Sequence, residues 1–565
     1  MTSPTETTFH DMQSQEPSLD KLREQFDDIT RLLQNSDDAS QCTQAIQSWD
    51  KLRGQVATWS AMAHLHFNQD TGNESYRKGR ETADALMPDY TNLEIGVKRA
   101  LVSSPHREHL EKQLSLRHAF DLWKCDDAAF HPDIREELVH ENELIASYIE
   151  LLGGARIPLG GKTCGISDLI GLQSGSDRVK RHEAARAMWN WFEENRPQLD
   201  QIFDDIVTLR DKMAKSLGRA NFVEVGYDRK RRVDYDRHDV ERFREQVLAD
   251  VVPLACQLAD RQAATLGIDK LKSWDEKVHR PQGAPAPRGD AKWMTDRASE
   301  MFDAIHPELA DFYRLMVRNE LMDLESRPGK AFGGFCTWFP DFGVPYVFAN
   351  FNGTPGDARV FTHEIGHAFQ RYKSRDNAVL DYVGCTSESA EVHSMSLEFL
   401  CWPEMERFFG EDANDFRMQH LAEQLMFLPY GVAVDHFQHL IYEQPKATPG
   451  ERHAMWKKLE KMYMPWRDYG DLSHPGQGGY WQYQRHIYAY PFYYIDYTLA
   501  ATCALQFWSR AQSDRDGALT AYVDLCKRGG SLPFRKLVES AGLLSPFEEG
   551  CLQEVVANAK RELAL

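Results

Sequence analysis

Apolar residues recur at helical spacing along most of this chain. Leu22, Phe26, Ile29 and Leu33 fall on one stripe, the pattern of a helix that buries one face. Similar stripes run through residues 93–101, 110–122 and 138–152, so antiparallel helix packing is expected from residue 19 to about residue 152. Residues 153–168 are irregular, and helical spacing returns over 178–192, 199–217 and 240–266. Gly218 is a natural stop for the second of these. Prolines and glycines mark a loop at 281–288, and a helix is expected over 301–322. The texture then changes. Residues 333–338 and 344–353 are aromatic and β-branched with glycines at their boundaries, which predicts two short strands and the one sheet that the pattern suggests. From Glu388 onward the chain is helical again, broken at 471–479, while the polar first 18 residues predict a frayed tail. The fold class that follows is mostly α with a small sheet.

Composition narrows the possibilities. The 565 residues are 42% hydrophobic and 27% charged, as in an ordinary globular protein. A formal net charge of −20 argues against a general nucleic-acid binder, which needs a basic face. The cluster Arg229-Lys230-Arg231-Arg232 is expected to be a solvated stretch paired with Asp234 and Asp236. No basic, apolar leader opens the sequence and no apolar run is long enough to span a membrane. The ten cysteines are scattered without a C-x-x-C pair. Reduced thiols, a cytoplasmic location and no membrane partner are the expectation. Leu159-Gly160-Gly161-Lys162-Thr163 invites a phosphate-loop reading, but Arg156 stands where that motif needs its first glycine. A turn is expected there.

The chemistry concentrates at His363-Glu364-Ile365-Gly366-His367, an H-E-x-x-H pattern. Residues four apart share a helix face, so both imidazoles can reach one metal ion. Glu364 then projects beside the metal, placed to take a proton from a metal-bound water. A catalytic zinc site needs a third protein ligand and an open position. The following helix offers Glu388, Glu391 and Glu398 near one face. Acidic residues on a buried stripe are costly unless paired or metal-bound. The sequence after His367 reads Ala368-Phe369-Gln370-Arg371-Tyr372-Lys373, which lacks the metzincin continuation.

A second set lies near the C-terminus. If residues 486–497 form one helix, His486, Tyr490, Tyr494 and Tyr497 share a face. Such a line serves equally as a core stripe with satisfied hydroxyls. Pro491 interrupts the helical pattern and leaves Tyr493 as an alternative to Tyr494.

The chain resembles the thimet oligopeptidase-like metallopeptidases, in their oligoendopeptidase F branch. The resemblance rests on Gly353-Thr354-Pro355-Gly356-Asp357, the H-E-x-x-H stretch, and Glu391-Val392-His393-Ser394-Met395-Ser396-Leu397-Glu398-Phe399. Phe332-Gly333-Gly334-Phe335-Cys336, Pro491-Phe492-Tyr493-Tyr494-Ile495-Asp496-Tyr497 and Gly529-Gly530-Ser531 add to it. It weakens toward residue 160, and the first 150 residues carry none to rely on.

The resemblance implies two lobes around a deep channel, with an N-terminal helical lobe over 19–200 and a catalytic region over 201–565. It implies one zinc ion on His363, His367 and Glu391, and Glu364 as general base. Glu398 is then expected to fix a ligand imidazole, and His393 to be structural. His486, Tyr490, Tyr494 and Tyr497 would hold the oxyanion and the peptide. The implied activity is endopeptidase action on short peptides. Rival readings are a zinc carboxydipeptidase or non-peptide amidase on the same fold, and an inactive peptide-binding protein. No basic group for capturing a free carboxylate is identifiable in the sequence. The strand within 346–351 is expected to offer an exposed edge for substrate pairing, and residues 474–480 either a mobile loop over the site or a plain turn.

Overall fold

A computed structural model describes residues 7–36 and 38–565. Helices dominate, and their buried faces form two cores. The smaller core holds residues between Leu22 and Trp123 and closes over Val379 and Tyr382. The larger core takes the rest, including the long helix Arg178–Ser216. The helices between residues 135 and 216 therefore share the larger core with the H-E-x-x-H helix. The polar start of the chain is not loose where it is described. The Phe9 ring centre lies 4.6 Å from that of Tyr346, and Met12 is buried. Among the described residues, no helix is long and apolar enough to cross a membrane, and all ten cysteines are free.

The sheet beside the H-E-x-x-H helix has three strands in the order Met322–Glu325, Val344–Phe351, Phe335–Phe339. The first pairing is parallel and the second antiparallel. This corrects the expected edge. Val344–Phe351 is the central strand, paired on both sides and buried almost throughout. The free margin next to the site is Phe335–Phe339. A second, two-stranded sheet pairs Ile157–Leu159 with Lys162–Cys164, where only a turn was expected. Gly160 and Gly161, both at positive φ, make the tight reversal possible. Residues 474–480 are not a mobile surface loop: His474 and Pro475 are buried, and Tyr480 stacks on Trp456.

Candidate metal centre

The motif helix Pro355–Ser374 begins with proline at its first position, where the missing N–H costs nothing. Asp357 accepts the N–H groups of Asn352 and Gly353 and fixes the entry of the chain. The second helix, Ser387–Leu400, is buried almost end to end. The two cross in contact because Gly366 has no side chain. A Cβ there would sit 2.7 Å from the Ser394 Cα and 2.8 Å from the His393 carbonyl oxygen. Both are backbone atoms that cannot turn aside. This contact sets the separation of the donors.

His363, His367 and Glu391 each offer a ligand atom, and these atoms lie within 4.8 Å of one another. His363 Nε2 stands 3.3 Å and His367 Nε2 3.6 Å from Glu391 Oε2. On the far side of the ring, His363 Nδ1 meets Glu398 Oε1 at 2.7 Å. That contact keeps the proton on Nδ1 and turns the Nε2 lone pair inward. His420 holds the other Glu398 oxygen at 2.9 Å. Two imidazoles, one carboxylate and a fixed tautomer are the donor set of a catalytic zinc site, so the residues present fit that ion. Burial works against ionised Glu391, but the two imidazoles facing it, when protonated, hold it well below the usual carboxylate range.

Glu388 is one turn away and does something else. It is buried against Asp496, and burial together with that charge pushes it up to about 8. It is absent from the converging group. His393 is buried, donates Nδ1–H to the Ser389 carbonyl, and is pushed down to about 4 by burial. Glu364 is also buried. Burial raises its carboxyl above the ordinary range, against the pull of the adjacent imidazoles. Gly334 lies so close that a Cβ there would be 3.8 Å from Glu364 Oε1.

The aromatic segment is not one helix. Arg485–Ala489 and Tyr494–Ala511 are separate, and Phe492 between them has φ +61°. The expected line of four is therefore broken after Tyr490, which is 45% exposed and meets the Arg485 side chain and the His486 and Tyr493 rings. The chain resumes in a new register. Tyr493, the alternative to Tyr494, donates its hydroxyl to Glu391 Oε1 at 2.9 Å. The Tyr497 ring centre is 5.0 Å from that of Tyr493, and its hydroxyl is held up by burial and by the Glu391 charge. Tyr494 turns toward Tyr430 and Phe427. His486 packs against Tyr493, Tyr494 and Tyr497 and is pushed down to about 4 by burial.

Three groups went unnoticed in the sequence. Gln484 Nε2 meets His486 Nδ1 at 2.8 Å while its carbonyl oxygen accepts from Tyr430 at 2.6 Å. In that arrangement His486 carries its proton on Nε2. Arg232 and Lys230 come from the basic cluster, which is not solvated and does not pair with Asp234 or Asp236. Arg229 pairs with Glu141, Arg231 with Asp126, and buried Arg232 with Asp496 at 2.9 Å. Arg232 also donates to the Phe492 carbonyl, and Lys230 Nζ lies 3.9 Å above the Tyr493 ring. Four consecutive basic residues in a strongly acidic chain were the available signal.

Comparison with known proteins agrees with this geometry. Residues 9–130 match the Peptidase M3 N-terminal domain and residues 291–557 match Peptidase family M3. PZ peptidase A, solved with an inhibitor, is 41% identical over 98% of this chain and 99% of its own, with a TM-score of 0.93. A Bacillus anthracis protein described as an oligoendopeptidase F is 39% identical over 99% of this chain and 98% of its own, with a TM-score of 0.88. Group B oligopeptidase PepB of Streptococcus agalactiae is 18% identical over 473 residues, 81% of this chain and 73% of that protein.

Proposed function

We propose that this chain, which belongs to peptidase family M3 and is a metalloendopeptidase, is a zinc-dependent oligoendopeptidase that hydrolyses internal bonds of short peptides. The observation that carries the reading is the convergence of His363, His367 and Glu391, with Glu364 buried on the helix of the two histidines. Those three residues would hold the zinc. When bound, the ion supplies Lewis acidity that polarises the scissile carbonyl and acidifies a water molecule.

Glu364 takes the proton of the attacking water on its carboxylate and holds it. It then delivers the proton to the nitrogen of the leaving amine, so one group serves as base and acid in turn. Its raised pKa suits both halves of that task. Negative charge develops on the carbonyl oxygen, and His486 Nε2–H and the Tyr497 hydroxyl are the donors on the opposite wall. Tyr493 orients Glu391 through its hydroxyl. The substrate backbone pairs with the free margin of Phe335–Phe339, a mode that tolerates varied side chains.

The test combines an internally quenched short peptide with Glu364→Gln. Wild type should cleave the peptide. The variant should retain its metal by elemental analysis and lose about 10²–10⁴-fold in rate. Substantial activity in the variant would overturn the assigned role.

A further inference from the structure

Four residues of the motif helix recur at every fourth position: Arg359, His363, His367 and Arg371. Steps of four keep to one helix face, so two arginines bracket the metal-binding histidines. Their surroundings differ. Arg359 is neutralised by an ion pair with Glu423. The Arg371 guanidinium has no ion pair and no hydrogen bond among the described residues. Its guanidinium lies against Gly384, with Nη1 3.6 Å from where a Cβ would stand on that residue.

Arg371 lines a cavity of about 450 Å³ together with Cys336 and Thr337 of the free strand margin, Thr386, and Arg53 and Arg231. The other two arginines are satisfied. Arg53 and Arg231 share Asp381 at 2.7 and 3.4 Å, and each has a further acid, Asp50 and Asp126. His118, also in the wall, is pushed down to about 4 by burial and is neutral. Arg371 is the cation of this wall that lacks a counter-charge.

Its position relates to the reaction. Four residues of helix place Arg371 about 6 Å beyond His367, and an extended peptide advances about 3.3 Å per residue. A peptide laid along Phe335–Phe339 passes the same cavity, because Cys336 and Thr337 form part of its wall.

Resting on the peptidase reading above, we propose that this cavity is a carboxylate subsite. Arg371 takes a carboxylate of the substrate two or three residues from the scissile bond, through the planar fork by which guanidinium binds carboxylate. The carboxylate is either an acidic side chain or the C-terminus of a short peptide.

Matched peptides distinguish these. One arm carries Glu or Gln two or three residues to either side of the cleaved bond, with an amidated C-terminus. The other has no acidic side chain and ends two or three residues past the bond as a free acid or an amide. Wild type should favour the carboxylate-bearing member of one arm by about tenfold to a hundredfold in kcat/KM, and that arm identifies the source. Arg371→Gln should bring the ratio close to one. Arg371→Lys, which keeps the charge and loses the fork, should give a ratio between the two. A wild type that cleaves the peptides without discriminating in either arm, or an Arg371→Gln ratio equal to wild type, overturns the subsite. A wild type that cleaves none of them overturns the peptidase reading instead.

Discussion

The two walls of the site are built by opposite means. The metal wall is two regular helices locked by the Gly366 contact, and its donors follow from helical period. The aromatic wall turns on Phe492, whose left-handed backbone ends one register and starts another. That residue is clamped from elsewhere: Arg232 holds its carbonyl, Gln438 accepts its N–H, and Gly226 leaves room for its ring. The metal wall is thus specified locally and the aromatic wall by residues distant in sequence.

The largest effect should come from the metal wall. Glu391→Ala should lose bound metal and nearly all activity, whereas Glu388→Gln should keep both, because Glu388 at about 8 is mostly protonated at neutral pH. Metal loss in Glu388→Gln would break the division of labour between the two glutamates. Next is His486→Gln, which should cost about 10²–10³-fold in kcat. His486 is already neutral above about pH 4, so its removal should leave the acid limb of the pH–rate profile in place. That limb belongs to Glu364, and activity falls as pH drops through its raised pKa. A shifted limb in His486→Gln would reassign it.

Tyr493→Phe should lose about 10–100-fold in kcat/KM through a misoriented ligand, while Tyr490→Phe should resemble wild type. The reverse ranking would restore the single-helix reading of the aromatic wall. Phe492→Gly sets two terms against each other. Releasing the left-handed conformation gains about 1–2 kcal/mol, and losing a fully buried ring costs about 3–5 kcal/mol. The melting temperature should therefore fall, and a rise would show that the clamp does not hold the turn. The smallest change is Gly366→Ala, one methyl pressed into a backbone. It should cost about 1–3 kcal/mol by thermal unfolding and weaken metal retention.

The same contrast explains what the sequence could reveal. The histidines, Glu364 beside them and the helical fold are readable because spacing encodes them. Glu388 and Glu391 both sit on the buried stripe; spacing does not separate them, the family resemblance favours Glu391, and in the structure the imidazoles converge on Glu391 while Asp496 acts on Glu388. The tyrosine register hung on the φ of one residue, fixed by partners more than 50 positions away. The free strand margin was misplaced because Met322–Glu325 pairs in parallel across the other side of the sheet, and its Met-Asp-Leu-Glu shows no boundary to its preceding helix. The basic cluster reads as solvated because nothing local announces that the acids it meets lie from 88 to 264 positions away.

The margin of Phe335–Phe339 carries a consequence of its own. It lines a cavity shared with Arg53 of the N-terminal helices, so in the binding mode proposed above a substrate pairs there as an extended chain. A folded protein has its strands already paired and would forfeit about 5–15 kcal/mol to release one. A short peptide has no such structure to lose. In that binding mode the sheet would screen substrates by their own folding free energy, before any side chain is read.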